Sequence, residues 1–131
     1  MKKISVIFSE VAQKKISVSI LINALTANEG CEGLEQSRRF AFQAFCCAIL
    51  AKEAKGLMQK AQYIREYWEF IQQSLQISPE SVEGHLVRLM VEKQLENVNF
   101  VSHVQEDSNF LLGIVSNIQD IAIKELIEKV L

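Results

Sequence analysis

The sequence predicts a single all-α domain, residues 1–131, built as a bundle of five to seven helices around one central apolar helix. Hydrophobic residues make up 49% of the 131 residues, enough for the core of one domain. The chain has one proline, one threonine and no Asn-Gly or Asp-Gly pair, so it lacks the turn residues that an all-β domain needs. Apolar residues recur instead at steps of three and four, which places them on one face of a helix.

The first 28 residues are open to two interpretations. Ile4, Phe8 and Val11 are spaced for one long helix or for the first of two short ones, whereas residues 16–20 alternate between apolar and polar as in a strand. Residues 10–15 contain no Gly, Pro, Asn or Asp, the residues typical of hairpin turns. This absence favours helix, and a small β-hairpin stays the alternative. Residues 28–33, with two glycines, are predicted to form a loop.

The central helix is predicted at about residues 36–55. From Phe40 to Ala51 only Gln43 is polar, and a helix that is apolar on nearly every side cannot lie on a protein surface. It must be the middle of a bundle or one half of a dimer interface. Arg38 and Arg39 mark the end of this helix that reaches water.

Two further helices follow the central one. A stripe of apolar residues at helical spacing runs from Leu57 to Leu75, and a second stripe through Tyr63 and Tyr67 indicates that this helix packs on two sides. A new helix is expected to begin at Ser78, because serine caps a first turn and the proline after it suits the first helical position. This helix should extend over about residues 79–94 and end between residues 95 and 99.

The C-terminal third is predicted to contain a short helix at about residues 98–106 and a longer helix at the end of the chain. Asp107, Ser108 and Asn109 are expected to break the chain between them, since these residue types favour turns. Leu111, Val115, Ile118, Ala122, Leu126 and Val130 form the apolar stripe of the last helix.

Residues 67–79 resemble the second helix of a tetratricopeptide repeat. Ile71, Ser74 and Pro79 occupy the aliphatic, small and proline positions of the repeat, whereas Tyr67 stands where the repeat has alanine. No second copy lies 34 residues away in either direction. The resemblance covers about a tenth of the chain and implies a helical hairpin that docks a peptide. The stretch from Pro79 to Phe110 is also similar to small uncharacterised bacterial helical proteins, which carry no known activity.

Charge and cysteine content limit the classes of function. The net charge is −2, with +3 before Gly56 and −5 after it, so the chain lacks the basic surface of a protein that neutralises phosphates, and no nucleic-acid partner is expected. Cys31, Cys46 and Cys47 have no Cys-x-x-Cys spacing, and reduced buried thiols in a cytoplasmic protein are the simplest interpretation. A redox pair involving Cys31 is the alternative.

The N-terminus has some features of an export signal. Met1-Lys2-Lys3 is basic, but the apolar stretch behind it is interrupted by polar residues, and the run from Ile16 to Leu25 is too short to span a bilayer. Residues 24–27 faintly resemble a cleavage site. A cytoplasmic protein without a membrane segment is therefore expected, and export stays an open alternative.

No cofactor, metal site or catalytic residue is predicted. The strongest metal candidate is His103 with Glu106 and Asp107, joined by His85, and it is interpreted as a solvated helix face because no Glu-x-x-His pair is present. Cys46 and Cys47 lie in the most apolar segment, which should raise the pKa of each thiol and prevent nucleophilic chemistry.

The candidate binding surface is a groove bordered by Tyr63, Tyr67, His85 and Arg88, where aromatic side chains of one helix face basic ones of the next. The leading hypothesis is a non-enzymatic protein-protein interaction or adaptor-type module that associates with itself as a homo-oligomer. One alternative is a small-ligand-binding or enzymatic bundle with its pocket between helices 57–75 and 79–94. A second alternative is an immunity or antitoxin-like protein whose acidic C-terminal half caps a basic partner.

Overall fold

The computed structural model describes residues 3–27, 34–94 and 102–131, and this part of the chain is all-α, as predicted. It contains seven α-helices and one 3₁₀ helix, with no strand among the described residues. The helices are α1 (Ile4–Ala12), α2 (Val18–Thr26), α3 (Gln36–Glu53), α4 (Leu57–Ile77), α5 (Val82–Gln94), α6 (Val104–Ile114) and α7 (Ile121–Val130), with the 3₁₀ helix at Val115–Asn117.

Helix α3 is the central helix that the apolar run predicts. It packs most extensively against α4 and also contacts α2 and α5, so it is enclosed by other helices. Phe8 of α1 places its ring 4.9 Å from that of Phe42 and 4.8 Å from that of Phe45, and Phe8 and Phe42 are fully buried. These aromatic contacts attach the N-terminal helices to the central one.

Helices α3 and α4 form a hairpin joined by residues 54–56. The Ser37 hydroxyl near the start of α3 donates to the Ser74 carbonyl near the end of α4 at 2.8 Å, and the Ser74 hydroxyl donates back to the Ser37 carbonyl at 2.7 Å. Both serines are buried, so their hydroxyls are paired where water does not reach. The two helices therefore run antiparallel and in close contact.

Residues 3–27 form two helices, and the hairpin alternative is wrong. The turn between α1 and α2 forms without Gly, Pro, Asn or Asp, because Lys14 takes the left-handed conformation with a φ of 63°. The Lys14 amide donates to the Val11 carbonyl and the Lys15 amide to the Glu10 carbonyl, which is the Schellman pattern of a helix C-terminus. Lysine thus occupies a position where glycine is usual.

The predicted helix start at Ser78 is wrong by four residues. Ser78, Pro79 and Glu80 form a turn, and α5 begins at Val82. Ser81 is the capping residue, since its hydroxyl accepts a hydrogen bond from the Gly84 amide at 3.0 Å. The sequence contains two serines near this boundary, and the one closer to the helix caps it.

Gly84 lies where α5 packs closely against α4. A Cβ atom added there would lie 2.9 Å from Leu75 Cδ2 and 3.0 Å from the Ser74 hydroxyl. A side chain at this position would therefore force these neighbouring side chains to shift.

The predicted break at Asp107–Asn109 is also wrong. Helix α6 continues through these residues to Ile114, and the interruption falls at residues 115–120, before Asp120 caps α7 by accepting from the Ile123 amide. Asp107 stays in the helix because its side chain is buried and bonded to α5. Residues 28–33 with Cys31, the expected helix end at 95–99 and the expected start near Val98 lie outside the described residues.

Candidate functional site

A cavity of about 370 Å³ opens between α1, α3, α4 and α5. This volume lies within the range typical of small-molecule sites. Its walls are mainly apolar, and its lining residues are Val11, Ala12, Lys14, Phe45, Ala48, Ile49, Ala51, Lys52, Lys60, Ile64, Tyr67, Trp68, Met90, Val91 and Gln94.

The inner wall combines large aromatic side chains with small aliphatic ones. Tyr67 is buried, and its ring lies 5.0 Å from that of Trp68 in an edge-on arrangement. Ala48 and Ala51 of α3 contribute only methyl groups to the opposite part of the lining. Because Trp68 is the only tryptophan of the chain, its fluorescence reports directly on this cavity.

The charged residues of the lining are all basic. Lys14 follows α1, Lys52 lies near the end of α3 and Lys60 lies in the first turn of α4. Lys14 and Lys52 are exposed and Lys60 is half-buried, as expected for residues at a mouth. The lining described by the structure includes no Asp, Glu, His, Cys or Ser side chain, so it offers no serine or cysteine nucleophile and no histidine or carboxylate for acid–base catalysis.

An exposed apolar surface begins at the N-terminal end of α4, where Lys60 also lies. Leu57 and Met58 are 85% and 88% exposed, and Ile64, which lines the cavity, is 44% exposed. Large apolar side chains with this exposure on one helix are typical of contact surfaces.

A second group of polar side chains is buried where α5 meets α6. Asp107 of α6 accepts from His85 Nδ1 at 2.7 Å, from Arg88 Nε at 2.9 Å and from Arg88 Nη2 at 2.8 Å. Burial alone raises the pKa of Asp107, but the hydrogen bonds and charges of His85 and Arg88 outweigh it and hold the pKa below its usual value. The ring of Phe110 stacks on His85 with centroids 4.1 Å apart. This group fixes α6 to α5.

Glu92 and His103 form a neighbouring pair, in which His103 is half-buried. Glu92 accepts from the His103 amide and pairs with His103 Nδ1 at 2.8 Å, and its own side chain is fully buried. The Tyr67 hydroxyl is buried and has no hydrogen-bond partner among the residues that the structure describes. Burial, and then the negative charge of Glu92, raise the pKa of Tyr67, so the phenol stays neutral at the inner wall of the cavity.

The four residues predicted to border a groove have different surroundings. Tyr67 lines the cavity, but Tyr63, His85 and Arg88 are absent from the lining. His85 and Arg88 are occupied by Asp107, so they stabilise the α5–α6 contact instead of facing an open groove. Of the elements in this prediction, α4 and α5 contribute to the lining of the cavity, and Tyr67 is the one residue of the four within it. The sequence analysis did not identify the lining residues of α1 and α3, because the residue pattern within a helix does not indicate which other helices it will contact.

The residues that the structure brings together differ from the predicted metal site, because His103 is not among them. Ligand atoms of His85, Glu106 and Asp107 lie within 4.8 Å of one another, whereas His103 pairs with Glu92. The Arg88 guanidinium binds both carboxylates and already supplies the positive charge that a metal ion would bring. His85 is also engaged at both ring nitrogens, by Asp107 and by the Pro79 carbonyl at 2.7 Å. These residues therefore do not suit a divalent cation.

The two cysteines within the described residues are unsuited to act as nucleophiles. Burial raises the pKa of Cys46 to about 12 and that of Cys47 to about 11, so both thiols stay protonated at neutral pH. This agrees with the sequence expectation for the apolar segment.

Comparison of the chain with known protein families, curated proteins and solved structures finds no match in any of the three. Among the described helices, none combines the length and the apolar character needed to cross a bilayer. Function therefore has to rest on the geometry of the chain itself.

Proposed function

We propose that the protein is a non-catalytic binding module that takes an apolar ligand into the cavity between α1, α3, α4 and α5. The observation that carries the proposal is the cavity itself: about 370 Å³, walled by apolar side chains from four helices and open at one side. Small-molecule sites typically have this size and lining, and an apolar group leaving water gains free energy in proportion to the area it buries.

The lining supports binding over catalysis. Apart from the three lysines, its polar side chains within the described residues are Gln94 and Tyr67. Tyr67 has a raised pKa and stays a neutral phenol, so it does not act as a base near neutral pH.

A neutral fluorescent probe, N-phenyl-1-naphthylamine, tests the proposal. Binding in the cavity brings the probe next to Trp68, so energy transfer from the single tryptophan should accompany the rise in probe fluorescence. The substitution Ala48→Phe fills the lining from α3 and should weaken binding at least ten-fold. Ala61→Phe adds the same ring to an exposed alanine outside the lining and serves as the matched control.

Absence of probe binding by the natural chain would contradict the proposal. So would equal affinities of the Ala48→Phe and Ala61→Phe variants, because the probe would then bind elsewhere. Circular dichroism spectra and thermal midpoints of both variants establish that each is folded.

A second candidate function is self-association through the start of α4. It is favoured by one observation, the exposure of Leu57 and Met58 at 85% and 88%, values that are unusual for large apolar neighbours in a monomer. Two copies that pair these residues across a two-fold axis would cover both surfaces at once.

Sedimentation velocity over a range of concentrations tests self-association. The natural chain should form dimers at micromolar concentrations, and the double substitution of Leu57 and Met58 to serine should leave monomers. Leu112→Ser removes another exposed leucine, on α6, and should leave the dimer intact. A natural chain that stays monomeric throughout would contradict this second function.

A further inference from the structure

We infer that the ligand of the cavity is an anionic amphiphile, a molecule with a hydrocarbon tail and a single carboxylate head. The tail would occupy the apolar interior, and the carboxylate would lie among Lys14, Lys52 and Lys60 at the mouth. This inference rests on the proposed binding function and names the chemical class of its ligand.

The charge of the lining is the first support. Three lysines contribute to it and no carboxylate does within the described residues, although the whole chain carries a net charge of −2. The positive charge of the mouth is therefore a local feature of an otherwise slightly acidic protein. The lysines would attract a negatively charged head bound in the cavity, and salt would screen this attraction only partly.

The origin of the three lysines is the second support. Lys14 comes from the turn after α1, Lys52 from the last turn of α3 and Lys60 from the first turn of α4. Three separate elements thus bring positive charge to one opening. A single basic helix face would produce a stripe of charge along that helix instead.

The conformation of Lys14 is the third support. Its φ of 63° lies in the left-handed region, where glycine is the favoured residue at the C-terminus of a helix. The backbone there would be more stable with glycine, yet the chain has a lysine at this position of the cavity lining. A charge at this position is a reason for retaining a residue that is unfavourable for the backbone.

Three straight-chain amphiphiles test the inference by displacing N-phenyl-1-naphthylamine from the natural chain at low salt. Decanoate, decanol and decyltrimethylammonium have alkyl tails that differ by at most one carbon, and their heads are negative, neutral and positive. Decanoate should bind about ten-fold more tightly than decanol, as expected for a few exposed ion pairs, and decyltrimethylammonium should bind most weakly. Raising the salt concentration should reduce this preference.

A triple variant with glutamine at positions 14, 52 and 60 should lose about ten-fold in decanoate affinity and keep its decanol affinity. The matched control places glutamine at Lys3, Lys55 and Lys124, which lie outside the lining and comprise, like the first three, two exposed lysines and one half-buried lysine. This control should bind decanoate as the natural chain does.

Lys14→Gly separates a binding role from a structural one. Glycine relieves the left-handed backbone, so the thermal midpoint should rise, while the loss of one charge should weaken decanoate binding about two-fold to five-fold. If Lys14 served only the turn, Lys14→Gly would leave the affinity for decanoate unchanged, and that result would contradict a binding role.

The possible failures are distinguishable. If the fluorescent probe binds but decanol equals decanoate, or the triple variant at the mouth behaves like its control, the anionic ligand is refuted and the binding function stands. If the probe binds and none of the three amphiphiles displaces it, the ligand class is refuted as well. If neither the probe nor any amphiphile binds, the proposed function itself fails.

Discussion

Replacing Asp107 with asparagine should lower the free energy of unfolding by about 3 kcal/mol. The substitution keeps the size of the side chain and removes its negative charge. Asp107 is fully buried and accepts three hydrogen bonds, one from His85 and two from Arg88. Asparagine retains one acceptor oxygen, and its amide group would place hydrogens against the donors of the same two partners.

The magnitude follows from these contacts. A hydrogen bond to a charged group contributes about 1.5 to 3 kcal/mol, and at least one of the three is lost outright. The Arg88 side chain is only 12% exposed, so it is left with the more exposed Glu106 as its remaining carboxylate partner. Breaking a buried ion pair by removing one partner costs about 3 to 5 kcal/mol, and the surviving partner Glu106 places the expected loss at the lower end.

Urea unfolding followed by circular dichroism measures this loss at neutral pH. Glu106→Gln is the control, because Glu106 binds the same arginine on the same helix but its side chain is 65% exposed, and its loss should stay below about 1 kcal/mol. A loss below 1 kcal/mol for Asp107→Asn, or equal losses for the two variants, would refute the role assigned to the buried carboxylate.

The same variant gives a pH signature with a definite sign. Because the folded-state pKa of Asp107 is lowered, its stabilisation is present at neutral pH and is lost as the pH falls through that pKa. The natural chain should therefore lose stability below about pH 4 more steeply than Asp107→Asn does. Parallel stability curves for the two proteins in acid would contradict the assignment.

Three further predictions follow from the helix contacts. Gly113→Ala, with open space around it in α6, should stabilise the protein by about 0.5 to 1 kcal/mol, and Gly84→Ala should be about 1 to 3 kcal/mol less stable than Gly113→Ala, because its Cβ would lie 2.9 Å from a leucine side chain on α4; urea unfolding compares the two. Ser81→Ala removes the cap of α5 and should cost about 1 kcal/mol in the same assay. Cys46 and Cys47 should react with a thiol reagent at pH 8 only after denaturant is added, since burial keeps both thiols protonated, and rapid labelling of the folded chain would contradict this.

The sequence predicts the central helix correctly because its signal is local and strong. Only Gln43 is polar between Phe40 and Ala51, and such a stretch has no stable position other than the interior of a bundle. The helices from Leu57 and from residue 82 onward also follow from apolar spacing, with an error only in the starting residue of the second.

Two regions show where local reasoning ends. At residues 13–17 the chain turns without any typical turn residue, because Lys14 adopts a left-handed backbone conformation. At residues 107–109 typical turn residues stay helical, because Asp107 bonds to His85 and Arg88, 22 and 19 residues earlier. In both regions the outcome is set by a backbone conformation or a distant partner that residue type does not reveal.

The cavity could be predicted only in part for the same reason. Tyr67 is singled out by the aromatic spacing of α4 and lies in the lining. Other lining residues come from α1 and α3, and the three lysines of the lining are separated by up to 46 residues. In the sequence, nothing distinguishes these three lysines from Lys55, which lies outside the lining. Their shared position becomes visible only once the helices are packed.

The central claim, that the space between α1, α3, α4 and α5 holds an apolar ligand, is tested most directly by nuclear Overhauser effects between decanoate and the labelled protein. We expect contacts from the methylene protons of the ligand to the methyl groups of Ala48 and Val91 and to the indole ring of Trp68. Contacts confined to Leu57 and Met58 on the exterior, or no contacts at ligand concentrations that saturate the probe signal, would contradict the claim.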